Sequence, residues 1–293
     1  MKVYAVFGDP VDHSLSPVMH NAAFRSMGIE ACYHPFRVGA DALADALSGA
    51  KAMGFGGINL TIPLKEKALS LVQPDETARA IGAVNTVAFG EGIMTGHNTD
   101  GSGALLALER AGIWVPKSRV LLIGAGGAAR ALAYELSLAK VELAIANRHP
   151  ARAVAMAETF SASGHGFDEI RELVEWADLI VNATSVGMHQ GEKRLFDGRL
   201  LKRDQAVFDI VYNRETELIR DARQAGARAV DGVTMLVHQG ALALRIWTGL
   251  EPPVRVMEAA VREALQSRQA PANHAESHPA RRDGTKRAGG KGS

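Results

Sequence analysis

Cysteine is nearly absent from this chain of 293 residues, where Cys32 stands alone. One thiol cannot build an internal disulfide framework, and such sparing use fits a reducing, cytoplasmic compartment. Next to Tyr33 at the start of a strand-like stretch, Cys32 is expected to pack rather than react. Charge imbalance is lacking too: 33 Lys and Arg stand against 32 Asp and Glu, a net +1. That gives neither nucleic acid nor a membrane surface a general attraction. No run approaches the roughly 20 apolar residues of a membrane span, and "MKVYAVFGDP" is too short an apolar opening for a secretory leader. There is no convincing internal repeat, no His/Cys/Asp cluster with metal-ligand spacing and no nucleophile elbow or triad. What remains is an ordinary globular composition, 47% hydrophobic and 22% charged, long enough for two domains with a core each.

Strand and helix signals alternate through the first third. "KVYAVFG", "ACYHPFRV" and "GGINLTI" read as strands, while "SPVMHNAAFRSMG", "DALADALSGAKAMG" and "PLKEKALSLV" read as helices. Pro17 suits a first helical position, Asp41 a helix cap, and Gly28 and Gly54 the ends. This βαβ rhythm predicts a mostly parallel sheet with covered faces. The segment "VNTVAFGEGIMTGHNTDG" predicts two short strands joined at "GEG" as an antiparallel edge, with the helix "SGALLALERAG" after it. A second rhythm runs through "SRVLLIGAGGAARALAYELSLAKVELAIANR", "ADLIVNATSVGM" and "QAVFDIVYN", the doubly wound pattern of a Rossmann-type nucleotide-binding domain. From about residue 234 two helices without strands are expected to return to the first domain. The α/β chain therefore divides into residues 1–101 completed by 234–267, a nucleotide-binding domain at 102–233, and a disordered tail at 268–293 rich in Ala, Gly, Pro and basic residues.

"GAGGAAR" is a variant dinucleotide fingerprint placed between an apolar strand and an alanine-rich helix. Gly124 makes the tight turn and Gly126 lets a pyrophosphate approach the backbone. Free N–H groups of the helix N-terminus then face the anion. Where an NAD-selective domain places an acid for the ribose hydroxyls, this chain has "ANRHPAR". Arg148 and Arg152 would attract a 2′-phosphate, which points to NADP as cofactor, and Arg148 could also lie flat on the adenine. His149 could hydrogen-bond the same phosphate.

Polar clusters "HSLSP", "NLTIPLK", "GAVNT" and "GHNTDG" sit at strand ends or in the loops beyond them, where an open parallel sheet lines its ligand crevice. Their hydroxyls, amides, one ammonium and one carboxylate suit a small polyhydroxylated acid. In order and spacing these clusters, with "NATSVGM" and "DIVYN", resemble the shikimate/quinate dehydrogenase family over nearly the whole chain except the tail. The resemblance implies that Lys65 and Asp100 form the catalytic pair and that Ser14 and Ser16 hold the substrate carboxylate. It implies that Asn59, Thr61, Asn85 and Gln239 bond the ring hydroxyls, and that Tyr212 sits where substrate and nicotinamide meet. For NADP it implies Gly124, Ala125, Gly126, Gly127 and Ala128, with Asn147, Arg148 and Arg152, and Thr184 and Ser185 beside the nicotinamide. Leu60 stands where the family commonly has valine and His149 where it usually has threonine; neither touches the chemistry.

Reduction of a ketone by hydride leaves a developing alkoxide, which needs a positive donor and a proton. An ordinary lysine carries its charge at neutral pH and offers both. The implied partner is a small molecule, shikimate or 3-dehydroshikimate, with no nucleic acid and no membrane, and a monomer or homodimer as the working unit. Quinate or dual specificity stays open, as does a non-catalytic NADP-sensing regulator. His20 is expected to pack or hydrogen-bond; His97, next to Asn98 and Asp100, has a better claim than His13 or His20 to help shape the site.

Overall fold

The computed structural model of the protein describes residues 1–90 and 92–269. Glu91 of the expected hairpin turn and the chain from Ala270 lie outside the described residues, while Arg268 and Gln269, expected in the tail, belong to the last helix.

The first half contains β1 (Lys2–Gly8), α1 (Ser16–Met27), β2 (Ala31–Arg37), α2 (Leu43–Ala52), β3 (Gly57–Leu60), β4 (Gln73–Pro74), α3 (Glu76–Ile81), β5 (Thr86–Phe89), β6 (Met94–His97) and α4 (Asp100–Arg110). Its sheet runs β2-β1-β3-β5-β6-β4. β1 pairs parallel with β2 and β3, whereas β5 pairs antiparallel with β3 and β6. The expected antiparallel pair forms but is not the edge, because β4 adds a parallel strand outside β6.

The predicted helix "PLKEKALSLV" is absent: only a 3₁₀ turn at Lys67–Ser70 forms there. A helix would give the Lys65 carbonyl to the N–H of Leu69. Instead Val84 N–H takes that carbonyl at 2.9 Å, and Leu69 N–H turns back to Glu66 O at 3.2 Å. Asp41 does not cap α2 either. It lies within a preceding 3₁₀ turn at Ala40–Ala42, facing Lys67 at 3.3 Å. Missed in the sequence was α3, six residues held at one end by Asp75, which accepts Ala78 N–H at 2.7 Å, and closed by left-handed Gly82.

The second half contains β7 (Arg119–Ile123), α5 (Gly127–Leu138), β8 (Glu142–Ala146), α6 (Pro150–Phe160), β9 (Ser163–His165), α7 (Ile170–Trp176), β10 (Leu179–Asn182), β11 (Ala206–Asp209), α8 (Glu217–Gln224) and β12 (Arg228–Val230). Its order is β12-β11-β10-β7-β8-β9, parallel throughout. This is the doubly wound order, with the switch point between β7 and β10. Both faces are covered, so β7, β8, β10 and β11 read as continuous apolar runs.

α9 (Gly232–Thr248) and α10 (Val254–Gln269) return to the first sheet. One core cluster joins Tyr4, Phe24 and Tyr33 to Val237, Leu244, Met257 and Val261. Truncating fully buried Leu244 to alanine should cost about 2–5 kcal/mol. Gly57 makes room for Trp247, since a methyl there would lie 2.1 Å from the indole nitrogen, which donates to Val87 O at 3.0 Å.

Candidate active site

Strand register sets the polar row. Asn59 on β3 faces Thr86 on β5, and Thr86 faces His97 on β6. Because β5 runs against β3, its start lies beside the carboxyl end of β3, and the loop that leaves β6 for α4 arrives at the same place. Asn59, Asn85, Thr86, Thr99 and Asp100 are buried there together.

Lys65 reaches this row from the turn after β3. Its Nζ donates to Asp100 Oδ2 at 2.5 Å, with side chains 17% and 7% exposed. Asp100 opens α4, where the helix dipole favours an anion. Its other oxygen, Oδ1, accepts Asn85 Nδ2 at 2.8 Å, and its N–H donates to Asn98 Oδ1 at 3.1 Å. A pair this sheltered is costly to break from one side, because the remaining charge stays buried.

The bonds continue away from the pair. Asn85 also donates to Thr99 Oγ1 at 2.9 Å, and its Oδ1 accepts Thr99 N–H at 2.9 Å and the Thr86 hydroxyl at 2.9 Å. Asn59 donates to Thr86 Oγ1 at 3.0 Å and to Asn85 O at 3.2 Å, while its Oδ1 accepts the Tyr33 hydroxyl at 2.8 Å. Tyr33, Thr86 and Thr99, none of them among the expected site residues, thus join Asn59, Asn85 and Asp100 in one network. The position of Thr86, immediately after Asn85 in "GAVNT", was the available signal. His97 turns elsewhere, its ring on Asp75 at 2.6 Å, and contributes its carbonyl to Asn85 N–H at 3.0 Å.

The other expected substrate residues come from the turn after β3, the loop into α1, the segment after β11 and α9. Thr61 is half-buried after β3, its methyl packed on Gly8 so closely that a Cβ there would meet it at 2.2 Å. Ser14 Oγ accepts Ser16 N–H at 3.2 Å as the chain enters α1. Tyr212 lies beside Ser14; burial pushes its phenol up, and the Arg268 charge and Ser14 pull it back. Gln239 on α9 faces the first turns of α4, where a methyl on Gly103 would come within 2.7 Å of its backbone nitrogen.

Across the cleft stands the glycine loop. Gly124 has φ +125°, and a side chain there would meet Ala183 O at 2.8 Å and the Thr184 methyl at 3.2 Å. The loops after β7 and β10 therefore touch at the switch point, bringing Thr184 to Gly124. Gly126 caps α5 without any side-chain bond, and the space its Cβ would fill is open. Unclaimed first-turn N–H groups next to open space suit a pyrophosphate. Arg148 and Arg152 are exposed beyond the end of β8, and neither pairs with a carboxylate among the described residues. This donor set fits NADP. Asn147 donates through its amide to His149 O at 3.1 Å. Behind the loop, Asn182 Nδ2 donates to buried Asp209 Oδ1 at 2.9 Å and its Oδ1 accepts the Thr184 hydroxyl at 2.7 Å; neither had been singled out in the sequence.

The two sides meet at Lys65. A methyl on Gly127 would lie 3.7 Å from Lys65 Cδ. The ion pair therefore borders the glycine loop.

Fold and site define a two-domain α/β protein of the dinucleotide-binding kind, with a sheltered Lys65–Asp100 ion pair beside the glycine loop. Comparison with known proteins narrows this class. Residues 6–87 match the shikimate dehydrogenase substrate binding domain, 106–235 the shikimate / quinate 5-dehydrogenase family and 232–262 the shikimate 5′-dehydrogenase C-terminal domain. The shikimate dehydrogenase (NADP(+)) of Methanothrix thermoacetophila is 64% identical over 90% of this chain and 98% of its own length. Shikimate 5-dehydrogenase of Thermus thermophilus, solved in complex with NADP(H) and shikimate, is 42% identical with a TM-score of 0.84, covering 90% of this chain and 100% of that one. Quinate dehydrogenase of Corynebacterium glutamicum, in complex with NAD, is 34% identical at a TM-score of 0.84 over 89% and 99%. The chain belongs to the shikimate dehydrogenase family.

Proposed function

We propose that the protein catalyses the reversible, NADPH-dependent reduction of 3-dehydroshikimate to shikimate, a step toward chorismate and the aromatic amino acids. The observation that carries this reading is the Lys65–Asp100 pair at 2.5 Å, seated against Gly127 of the glycine loop. Its 64% identity to a shikimate dehydrogenase (NADP(+)) supports the choice of substrate and cofactor.

In this reading residues 1–101, completed by 234–267, hold the substrate, and 102–233 hold NADP. Ser14 and Ser16 receive the carboxylate; Asn59, Thr61, Asn85 and Gln239 meet the ring hydroxyls; Tyr212 flanks the ring. Gly124 to Ala128 hold the pyrophosphate, Asn147, Arg148 and Arg152 the adenosine phosphate, and Thr184 and Ser185 border the nicotinamide. The reduced cofactor, when bound, supplies the hydride. Lys65 stabilises the negative charge that grows on the carbonyl oxygen and delivers the proton that completes the hydroxyl. A preorganised donor at such a position is worth about 3–4 kcal/mol in the barrier. Asp100, held from its far side by Asn85, orients the ammonium. A cytoplasmic location belongs to the same proposal, supported by the single cysteine; among the described residues no helix is long and apolar enough to cross a membrane.

The test is to incubate purified protein with shikimate or quinate and either NADP+ or NAD+, following absorbance of the reduced nicotinamide. Shikimate with NADP+ should turn over fastest. Faster turnover of quinate would reassign the substrate, and no turnover with any pair would favour a cofactor-sensing regulator.

A further inference from the structure

The loop assigned to the substrate carboxylate is poor in positive charge. From Gly8 to Phe24 there is no lysine or arginine, while Asp9 and Asp12 are both present. Asp9 is matched by Arg37 at 2.8 Å, and Asp12 is exposed. Hydroxyls can hydrogen-bond a carboxylate, but they cannot offset the repulsion of a neighbouring acid.

The missing cation arrives from the far end of the chain. α10 packs along α1 and carries Arg268 in its last turn. Arg268 Nη1 donates to the His13 carbonyl at 3.1 Å, immediately before Ser14. Its charge also acts on the Tyr212 hydroxyl beside Ser14. One guanidinium therefore braces the loop and sets a full positive charge near its hydroxyls.

We propose that Arg268 is a positioning and specificity residue for anionic substrate: it holds the Ser14–Ser16 loop through the His13 carbonyl and makes the local potential attractive to a carboxylate. The inference rests on the carboxylate assignment made above. A planar guanidinium serves both tasks, since one nitrogen can keep the carbonyl while the delocalised charge still acts on the groups around Ser14.

The test uses the full chain and the variants Arg268→Gln and Arg268→Lys, with kcat and both KM values measured for shikimate and NADP+ over a range of ionic strength. Turnover of shikimate by the wild-type protein decides the functional reading; the ratio of KM values between variants decides this one. Arg268→Gln should raise KM for shikimate about five- to tenfold at low salt, with kcat and KM for NADP+ within about twofold, as expected for loss of an attracting charge. The gap should close as salt screens the field, and Arg268→Lys should keep most of the wild-type behaviour. An unchanged KM for shikimate in Arg268→Gln would overturn the proposal. So would a salt-independent loss shared by kcat, both KM values and thermal stability, which marks a tether and nothing more.

Discussion

The two walls of the cleft are built on opposite terms. On the first-sheet side the side-chain amides of Asn59 and Asn85 are engaged within the protein, and both oxygens of Asp100 accept side-chain donors. On the other side Gly126 caps α5 with no side-chain bond, open space lies over it, and Arg148 and Arg152 point outward without a carboxylate partner among the described residues. The first wall is thus hydrogen-bonded without any ligand, so under the proposed reaction a growing charge would meet dipoles that need no reorganisation. The second wall leaves its donors for a ligand to complete. Changes to the first should therefore appear in turnover, and changes to the second in cofactor affinity.

The sharpest way to break this division is Lys65→Ala. Turnover should fall at least about a hundredfold while the KM for NADPH stays near normal, the signature of a lost acid–base group. Near-normal turnover would remove Lys65 from the chemistry. Next in size is Arg148→Gln combined with Arg152→Gln. Here KM for NADPH should rise roughly tenfold to a hundredfold, as charge-assisted bonds to a phosphate are lost, with KM for NADH and kcat little moved. An equal rise for NADH would mean that the arginines do not read the 2′-phosphate.

The two walls also differ in how far they could be read from residues alone. The second half was legible because "RVLLIGAGGAAR" ties an apolar strand, a strained glycine and a helix N-terminus into one local unit, and Gly124 needs that φ wherever the chain goes. The first half was legible as a set of clusters but not as a path. The Lys65 segment has helical spacing, with Leu64 and Ala68 buried on one side, yet Val84 N–H claims the carbonyl a helix would need. That competitor lies 19 positions away, as the numbering of the two residues shows, and no local pattern announces it. Tyr33 was hidden for a related reason: it belongs to an ordinary β-propensity run on β2, and only the lateral order of the strands brings its hydroxyl to Asn59.

Thr86 offers a finer probe of the first wall. Its hydroxyl donates to Asn85 Oδ1 and accepts from Asn59 Nδ2 while fully buried. Thr86→Val keeps the shape and removes both bonds, leaving Asn59 with an unmatched donor. That is worth about 1 kcal/mol of network order, so kcat should fall about three- to tenfold. KM for NADPH should not change; a shift confined to it would contradict the division between the walls.

The smallest expected effect concerns stability, where burial of His20 in the first half and of Asp209 in the second has opposite consequences. His20 is fully buried against Tyr33, their rings stacked at 4.4 Å, with neither ring nitrogen bonded among the described residues, and burial pushes its pKa down to about 3. Asp209 is pushed up to about 6 by burial, against the opposing bonds from Thr216, the Val211 N–H and Asn182. The native state keeps His20 neutral, so its contribution is present above pH 6.5 and is lost as pH falls from there toward about 3. For Asp209 the folded pKa is the higher one, so its contribution is present below pH 3.8 and is lost as pH rises to about 6. Between those limits the halves oppose each other, each by at most about 1.4 kcal/mol per pH unit. Thermal melts from pH 4 to 7 separate them. His20→Leu should gain on the wild type as pH falls below 6.5, and Asp209→Asn should gain on it as pH rises from 4 to 6, each by a few degrees. Two variants tracking the wild type in parallel across that range would show that neither buried group titrates with unfolding, and that the halves do not differ in this respect.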